Sequence, residues 1–385
     1  MHIIATVRQP SNKLGGIEKG LLDTLQGLHH RGHTITLVYC RTGDQLESYR
    51  KFCEQTVQVN SFRVNPRFLP DVLKIPISAD SIIYCNEYAE LFFSFVLSAV
   101  RRLPLVAHEH LPASTEHNPL SLWKQALTLA HVDRHIAVSE AVKQDWVEVL
   151  GVKPELFDIV HNGIDFSRFN PSSNSTTSKE TFGISETTPL VTYVGRLEEY
   201  KGLDYLIRGF HLLLQSGNPA KLLIAGKSVV CGEAYEQHLR DLVKQLDIAD
   251  HVIFTGHVLN PQSIYCISDV VVLPSLWLEA FGRVVVEAMA CEVPVIASRV
   301  GGIPEIFTGA FQPYLFEPGA EYSLFHALKQ VIDWRQQQPE LGKQFREHAL
   351  QKFSLEQMLD GVETVLQETL AKRKKQPSFK LAGFS

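Results

Sequence analysis

The sequence predicts an α/β protein of two doubly wound parallel-sheet domains in tandem, and three observations carry that prediction. Short β-branched runs alternate with helical stretches along most of the chain, the pattern of parallel sheets covered on both faces. The alternation halts once, over 170–188 (NPSSNSTTSKETFGISETT), which is rich in Ser, Thr and Asn and almost free of large apolar side chains, and then restarts. The 385 residues are ample for two buried cores.

In the first half, strands are predicted at 2–7, 33–39, 56–60, 81–85, 104–109, 134–138 and 157–160, and helices at 16–31, 89–102, 120–131 and 139–150. Gly32, just past the first helix, suits a left-handed C-terminal cap. A linker is placed at 169–188, between a first domain at 1–168 and a second at 189–353. After it the pattern gives strands at 190–194, 221–225, 251–255, 269–273 and 293–297, and helices at 202–215, 232–246 and 282–291. Ligands of such sheets bind beyond the carboxyl ends of the strands, so two sheets facing a cleft suggest one substrate for each domain.

Composition narrows the classes. A formal net charge of −5 gives no general attraction to nucleic acid. The six cysteines are scattered without a C-x-x-C pair, which predicts free thiols and a reducing, cytoplasmic setting. The opening MHIIATVRQP is interrupted too soon, by Arg8 and Pro10, to read as a signal peptide. The longest apolar stretch, LFFSFVLSAV at 91–100, stops at Arg101 and Arg102. A membrane span needs about 20 residues, so this one reads as a core helix or an interfacial one. The last residues, with Lys372, Arg373, Lys374, Lys375 and Lys380 and no acid from 371 onward, read either as a solvated end or as an attraction to anionic lipid at the inner membrane face. Such attraction amounts to about 1 kcal/mol per basic residue.

Four constellations carry chemistry. In PSLWLEAFGRVVVEAMAC (274–291), Glu279 precedes Glu287 by eight residues, and Phe281 and Gly282 stand where a helix begins. A helix start presents unpaired N–H groups and favours an anion. Two carboxylates beside an anion are tolerable if each accepts hydrogen bonds from ligand hydroxyls; a ribose and a hexose flanking a diphosphate supply them. The bland alternative is an acidic turn that stabilises a helix. In YVGRLEEYKG (193–202), Arg196 and Lys201 follow a strand, where a guanidinium fork and a point charge suit phosphate oxygens. In SNKLGGIEKG (11–20), Gly15 and Gly16 let backbone N–H groups approach a phosphate or sugar, without the G-x-G-x-x-G spacing of a dinucleotide fold. In PLVAHEHLP (104–112), His108 and His110 share a face if the strand continues, as cleft-lining substrate contacts, as core residues or as metal ligands. AGKS (225–228) is no phosphate loop, because the earlier glycine position is Lys221.

The Glu279 and Glu287 pair in its FG and EAMA surroundings closely resembles the retaining family 4 glycosyltransferases of the GT-B fold. The double glycine, the histidine closing a strand, NGID (162–165), GR and KG after the linker, and GGIPEI (301–306) fall in that family's order, over about 1–365. The resemblance implies two Rossmann-like domains facing each other across a cleft, with a last helix at 354–372 packing back on the first. It implies that Gly16 meets the donor phosphate through its backbone, that Arg196 and Lys201 clamp the diphosphate, and that Glu279 holds hydroxyls of the transferred sugar. Glu287 would hold the ribose, backbone amides around Ala280, Phe281 and Gly282 would meet phosphate or sugar, and FTGHV (254–258), with Val258, would border the base. The active-site histidine falls on His110, with His108 the runner-up.

The activity so implied is transfer of a hexose from a nucleotide-diphosphate sugar to a carbohydrate or glycolipid acceptor, in polysaccharide or glycoconjugate synthesis. No Asp-x-Asp of the metal-dependent class is present, so no metal or other cofactor is expected. With no well-placed carboxylate nucleophile, the leaving diphosphate would itself take the acceptor's proton on the face of attack. Rival readings are another activity of the fold, such as epimerisation, and a nucleotide-sugar-binding protein without turnover.

Overall fold

The strand β1 (His2–Val7) is buried along its whole length, as a strand must be when parallel neighbours flank both edges and helices cover both faces. It belongs to a computed structural model describing residues 1–11, 16–62, 68–114, 119–171, 177–228, 232–277 and 279–375. With β2 (Thr34–Tyr39), β3 (Gln55–Gln58), β4 (Ser81–Cys85), β5 (Leu105–Glu109), β6 (Arg134–Ala137) and β7 (Phe157–Ile159) it forms a seven-stranded parallel sheet. The order is β3-β2-β1-β4-β5-β6-β7, so the chain leaves β1 in one direction and resumes at β4 in the other. The carboxyl ends of β1 and β4 are therefore a topological switch point.

The second sheet joins β8 (Leu190–Val194), β9 (Lys221–Ala225), β10 (Val252–Gly256), β11 (Val270–Leu273), β12 (Val295–Ser298) and β13 (Leu315–Phe316) in the order β10-β9-β8-β11-β12-β13. Its switch point lies between β8 and β11. The two-residue β13 is too short to leave a periodic signal. Its core gathers Val191, Tyr193, Leu222, Ile224, Val270 and Val272 from the strands with Leu206, Phe210, Leu239 and Leu328 from the helices.

Two units divide the chain: Met1–Gly163 with the segment from Leu355, and Ile164–Ser354. The motif NGID thus straddles the first crossing. The long helix Leu355–Lys375 packs in the first unit, where Met358, Leu359, Val362 and Leu366 join a core with Ile3, Leu25 and Ile35. Arg31 anchors it through Glu356 (2.6 Å), Asp360 (2.8 Å) and Glu363 (2.9 Å).

Two stretches differ from expectation. The serine-rich break is no free linker from 177 onward: the Lys179 ammonium is buried against Asp269 (2.7 Å) and donates to the carbonyls of Glu186 and Thr188, while Ile184 sits in a cluster with Leu190 and Ile264. One buried lysine and one isoleucine are diluted by the surrounding Ser and Thr. The basic end begins as helix, which runs through Lys372 and Arg373 to Lys375, and Arg373 lies 3.4 Å from Asp133. Among the described residues no helix is long and apolar enough to cross a membrane; the stretch 91–100 lies in the helix Tyr88–Arg101.

Candidate active site

The chain leaves β8 through Arg196 and makes a single 3-10 turn, Glu199–Lys201, before the helix Leu203–Gln215. That turn carries Lys201 to the loop between β11 and the helix Arg283–Ala290, where its ammonium donates to Glu279 Oε2 at 2.5 Å. Both side chains are largely buried, with 12% of the lysine and 19% of the glutamate exposed. Ser275 donates to the same carboxylate oxygen at 2.9 Å.

Several bonds hold this loop. Ser298, at the end of β12, donates to the Ser275 carbonyl (2.5 Å); Leu276 N–H donates to the Tyr200 carbonyl (2.8 Å); and Gly302 N–H donates to the Glu279 carbonyl (2.8 Å). Gly301 stands at φ +54°, and a Cβ there would lie 2.2 Å from the Glu279 carbonyl oxygen, so the position excludes any side chain. The double glycine of GGIPEI is thus the seat of the Glu279 backbone. Ser275 and Ser298 were not expected at the site, because a serine's partner is set by tertiary approach and leaves no pattern in the sequence.

Tyr200 organises the cations. Arg196, exposed beyond the carboxyl end of β8, donates to its hydroxyl at 2.6 Å, and Lys201 Nζ lies 5.1 Å from its ring centroid. The Arg196 carbonyl in turn accepts from the Tyr193 hydroxyl at 2.7 Å. Burial, with Glu279 adding repulsion, pushes the Tyr193 phenol well above its usual range, so it remains a neutral donor.

Glu287 lies on the buried side of the eight-residue helix Arg283–Ala290, where Tyr265 donates to its Oε2 at 3.1 Å and Arg283 approaches its other oxygen at 3.7 Å. Both glutamates therefore find partners within the protein. Gly282 caps this helix at φ +90°. The Phe281 ring is in the core, edge-on to Phe353 at 5.5 Å, which leaves only its backbone for a ligand. Ala280 is half-buried beside it. Val258 packs partly against the cluster of Ile184, Leu190 and Ile264.

In the first unit, Gly16 opens the helix Gly16–His30, and Gly15 lies outside the described residues. The two histidines of HEH separate clearly. His108 is buried with Nδ1 2.5 Å from the Tyr84 hydroxyl, while burial and then the neighbouring His110 hold its pKa well below the usual range. His110, half-exposed just past β5, sets Nε2 3.1 Å from Asn86 Oδ1, and the two imidazoles are 4.0 Å apart. Glu109 turns to the opposite face and pairs with buried His135 at 2.9 Å. Among the described residues no three His, Cys, Asp or Glu side chains converge as a metal-ligand set.

Residues 14–168 match the family described as Glycosyltransferase Family 4, and residues 174–351 match Glycosyl transferases group 1. An uncharacterized glycosyltransferase of Methanocaldococcus jannaschii is 27% identical over 362 residues, 86% of this chain and 89% of that one. A D-inositol 3-phosphate glycosyltransferase of Gordonia bronchialis is 29% identical over 276 residues; the match takes in 69% of this chain and spans only 58% of that protein's length. Among solved structures, Anabaena HepE in complex with UDP and glucose superposes with a TM-score of 0.80 at 23% identity, over 96% of this chain and all (100%) of HepE.

Proposed function

We propose, since this chain belongs to the family 4 glycosyltransferases of the GT-B fold, that it moves a hexose from a nucleoside-diphosphate sugar to a sugar or lipid-linked acceptor with retention of anomeric configuration. The chain is a glycosyltransferase; donor, acceptor and stereochemistry are what the proposal adds. The observation that carries it is the Lys201–Glu279 pair, set with Arg196 and Tyr200 beyond the carboxyl end of β8. A cation and a carboxylate held side by side there match a phosphate and a sugar hydroxyl held side by side in a donor.

In this reading Lys201 and Arg196 neutralise the departing diphosphate, the kind of fixed charge that often dominates catalysis. Glu279 accepts hydroxyls of the transferred sugar, and Glu287 accepts those of the ribose. The bond from the anomeric carbon to the phosphate oxygen breaks with its electron pair going to that oxygen. The acceptor hydroxyl attacks on the same face and gives its proton to the departing phosphate. Glu279 is already engaged by Lys201 and Ser275, which favours holding hydroxyls over attacking carbon. Side-chain cations do the neutralising, so turnover in excess chelator should match turnover without it.

A lipid-linked acceptor is favoured by one observation. Leu69, Leu73, Val100, Leu122 and Trp123 are exposed on the packed helices Phe68–Leu73, Tyr88–Arg101 and Pro119–Leu129, beside Arg101, Arg102 and Lys124. An apolar surface bordered by cations suits the face of an anionic bilayer. Cosedimentation with phosphatidylglycerol vesicles, but not with neutral ones, is the expected result.

The test of the reaction is a thermal-shift screen of nucleotide sugars followed by product analysis. UDP-glucose heads the set, and selective stabilisation by one donor identifies it. The proton coupling at the new anomeric centre should show the donor's own configuration. An inverted product would refute retention, and tight donor binding without transfer to any acceptor would favour a binding protein.

A further inference from the structure

The second unit holds a cleft of about 640 Å³, walled by the turn Glu199–Lys201, the helices Leu203–Gln215 and Glu233–Gln245, and the start of the helix Glu321–Val331. That volume falls within the range of small-ligand sites, about 300–1,000 Å³. The cleft meets the Glu279 loop at Leu276, and Lys201, Glu279 and Glu287 are not among its walls.

Three contacts fix those walls. Tyr235 donates to Asp204 Oδ2 at 2.7 Å, and His238 sets Nε2 2.5 Å from Asp204 Oδ1, which ties one helix to the next. At Gly209 a Cβ would lie 2.6 Å from Leu324 and 3.1 Å from the Glu321 carbonyl oxygen, so the third helix closes to contact beside Arg208. Tyr205 and Leu276 meet over Gly319, where a Cβ would lie 3.7 Å and 3.8 Å from them.

Within these walls several charges go unanswered. Asp204 has its partners, but among the described residues Glu199, Arg208 and Glu321 have no side-chain hydrogen bond or ion pair. Carboxylates and a guanidinium that line one cleft without meeting offer acceptors and donors to its occupant. Tyr205 is half-buried beside them. Trp277 and Tyr322, each next in the chain to a lining residue, are 68% and 63% exposed.

The chemistry of the walls narrows the occupant. Three carboxylates to one guanidinium disfavour a phosphate or any other anion. A lipid tail would bury the charged groups without partners. A sugar hydroxyl donates to a carboxylate and accepts from a guanidinium, and the apolar face of a pyranose ring lies well on an aromatic one. We propose that this cleft is a second carbohydrate site, which holds an oligosaccharide chain apart from the residues that carry sugar transfer. The inference goes beyond the transfer reading and does not depend on the donor used.

Maltotriose, cellotriose and mannotriose are titrated calorimetrically into the full chain and into its Arg208→Ala and Glu321→Ala variants, with UDP and spermidine titrated alongside. At least one trisaccharide should bind, and each variant should weaken it about ten-fold while UDP affinity stays unchanged. Neither side chain has a protein partner to lose, so the melting curves of the variants should coincide with that of the parent chain. Binding by none of the three trisaccharides overturns the site. So does binding that neither variant weakens, equal weakening of UDP and trisaccharide, or binding of spermidine in place of all three. UDP binding to the parent chain tests the donor reading separately.

Discussion

The Glu279 loop and the switch point of the first sheet meet their acidic side chains differently. In the second unit Glu279 is answered by Lys201 and Ser275, and Glu287 by Tyr265 and Arg283. In the first, Glu90 keeps an unpartnered oxygen, and Glu87 is pushed up by burial with Glu18 adding repulsion. The first arrangement is assembled by the protein itself. The second leaves a buried carboxylate oxygen unmatched, which costs stability.

The contrast breaks most readily at Lys201. Lys201→Ala should lower kcat by about 100- to 1000-fold, as loss of one preorganised charge-stabilising donor does elsewhere; steady-state kinetics with the screened donor and acceptor measure it, and an unchanged kcat removes the clamp. Gly301→Ala comes next. A left-handed alanine costs about 1–2 kcal/mol before the collision with the Glu279 carbonyl is counted. Thermal denaturation should show the second unit destabilised by at least that much, and a neutral effect would mean that the loop is not seated as described. Tyr200→Phe keeps the ring but frees Arg196 from its hydroxyl. A hydrogen bond of about 1 kcal/mol predicts about a five-fold loss in kcat/KM.

The smallest effect belongs to the first unit. Glu87 has a folded pKa of about 7 against a usual value of 4.5, so between those values the folded state binds the extra proton. Stability from this group therefore falls as pH rises from about 4.5 to about 7 and is level on either side. Glu87→Gln should remove that slope, so that the variant gains on the parent chain in melting temperature at pH 7.5 relative to pH 5. Parallel melting curves would show that Glu87 titrates normally.

Much of this architecture could be read in advance, for reasons that also mark where reading stops. The strands β1, β4, β8 and β9 are continuous apolar runs bounded by polar turns, and burial on both faces leaves that signature in the residues. The proximity of Lys201 to Glu279 was legible only through family resemblance: 78 residues separate them, and no local periodicity links a turn after β8 to a loop after β11. Ser275 and Ser298 escaped notice because serine is ordinary in loops, and Asn86 and Glu90 because a helix start beside an apolar run is an unremarkable place for either. The half-dozen residues that seat the Glu279 loop are defined by backbone approach, which sequence does not encode residue by residue. Lys179 was lost in the same way, its burial hidden by a polar neighbourhood.

A crystal structure of the full chain soaked with UDP-glucose tests the Lys201–Glu279 site most directly. The diphosphate should lie about 2.7–2.9 Å from Lys201 Nζ and the Arg196 guanidinium, with sugar hydroxyls on the Glu279 carboxylate and ribose hydroxyls on Glu287. A diphosphate bound away from both cations, with the Lys201–Glu279 pair undisturbed, would contradict it.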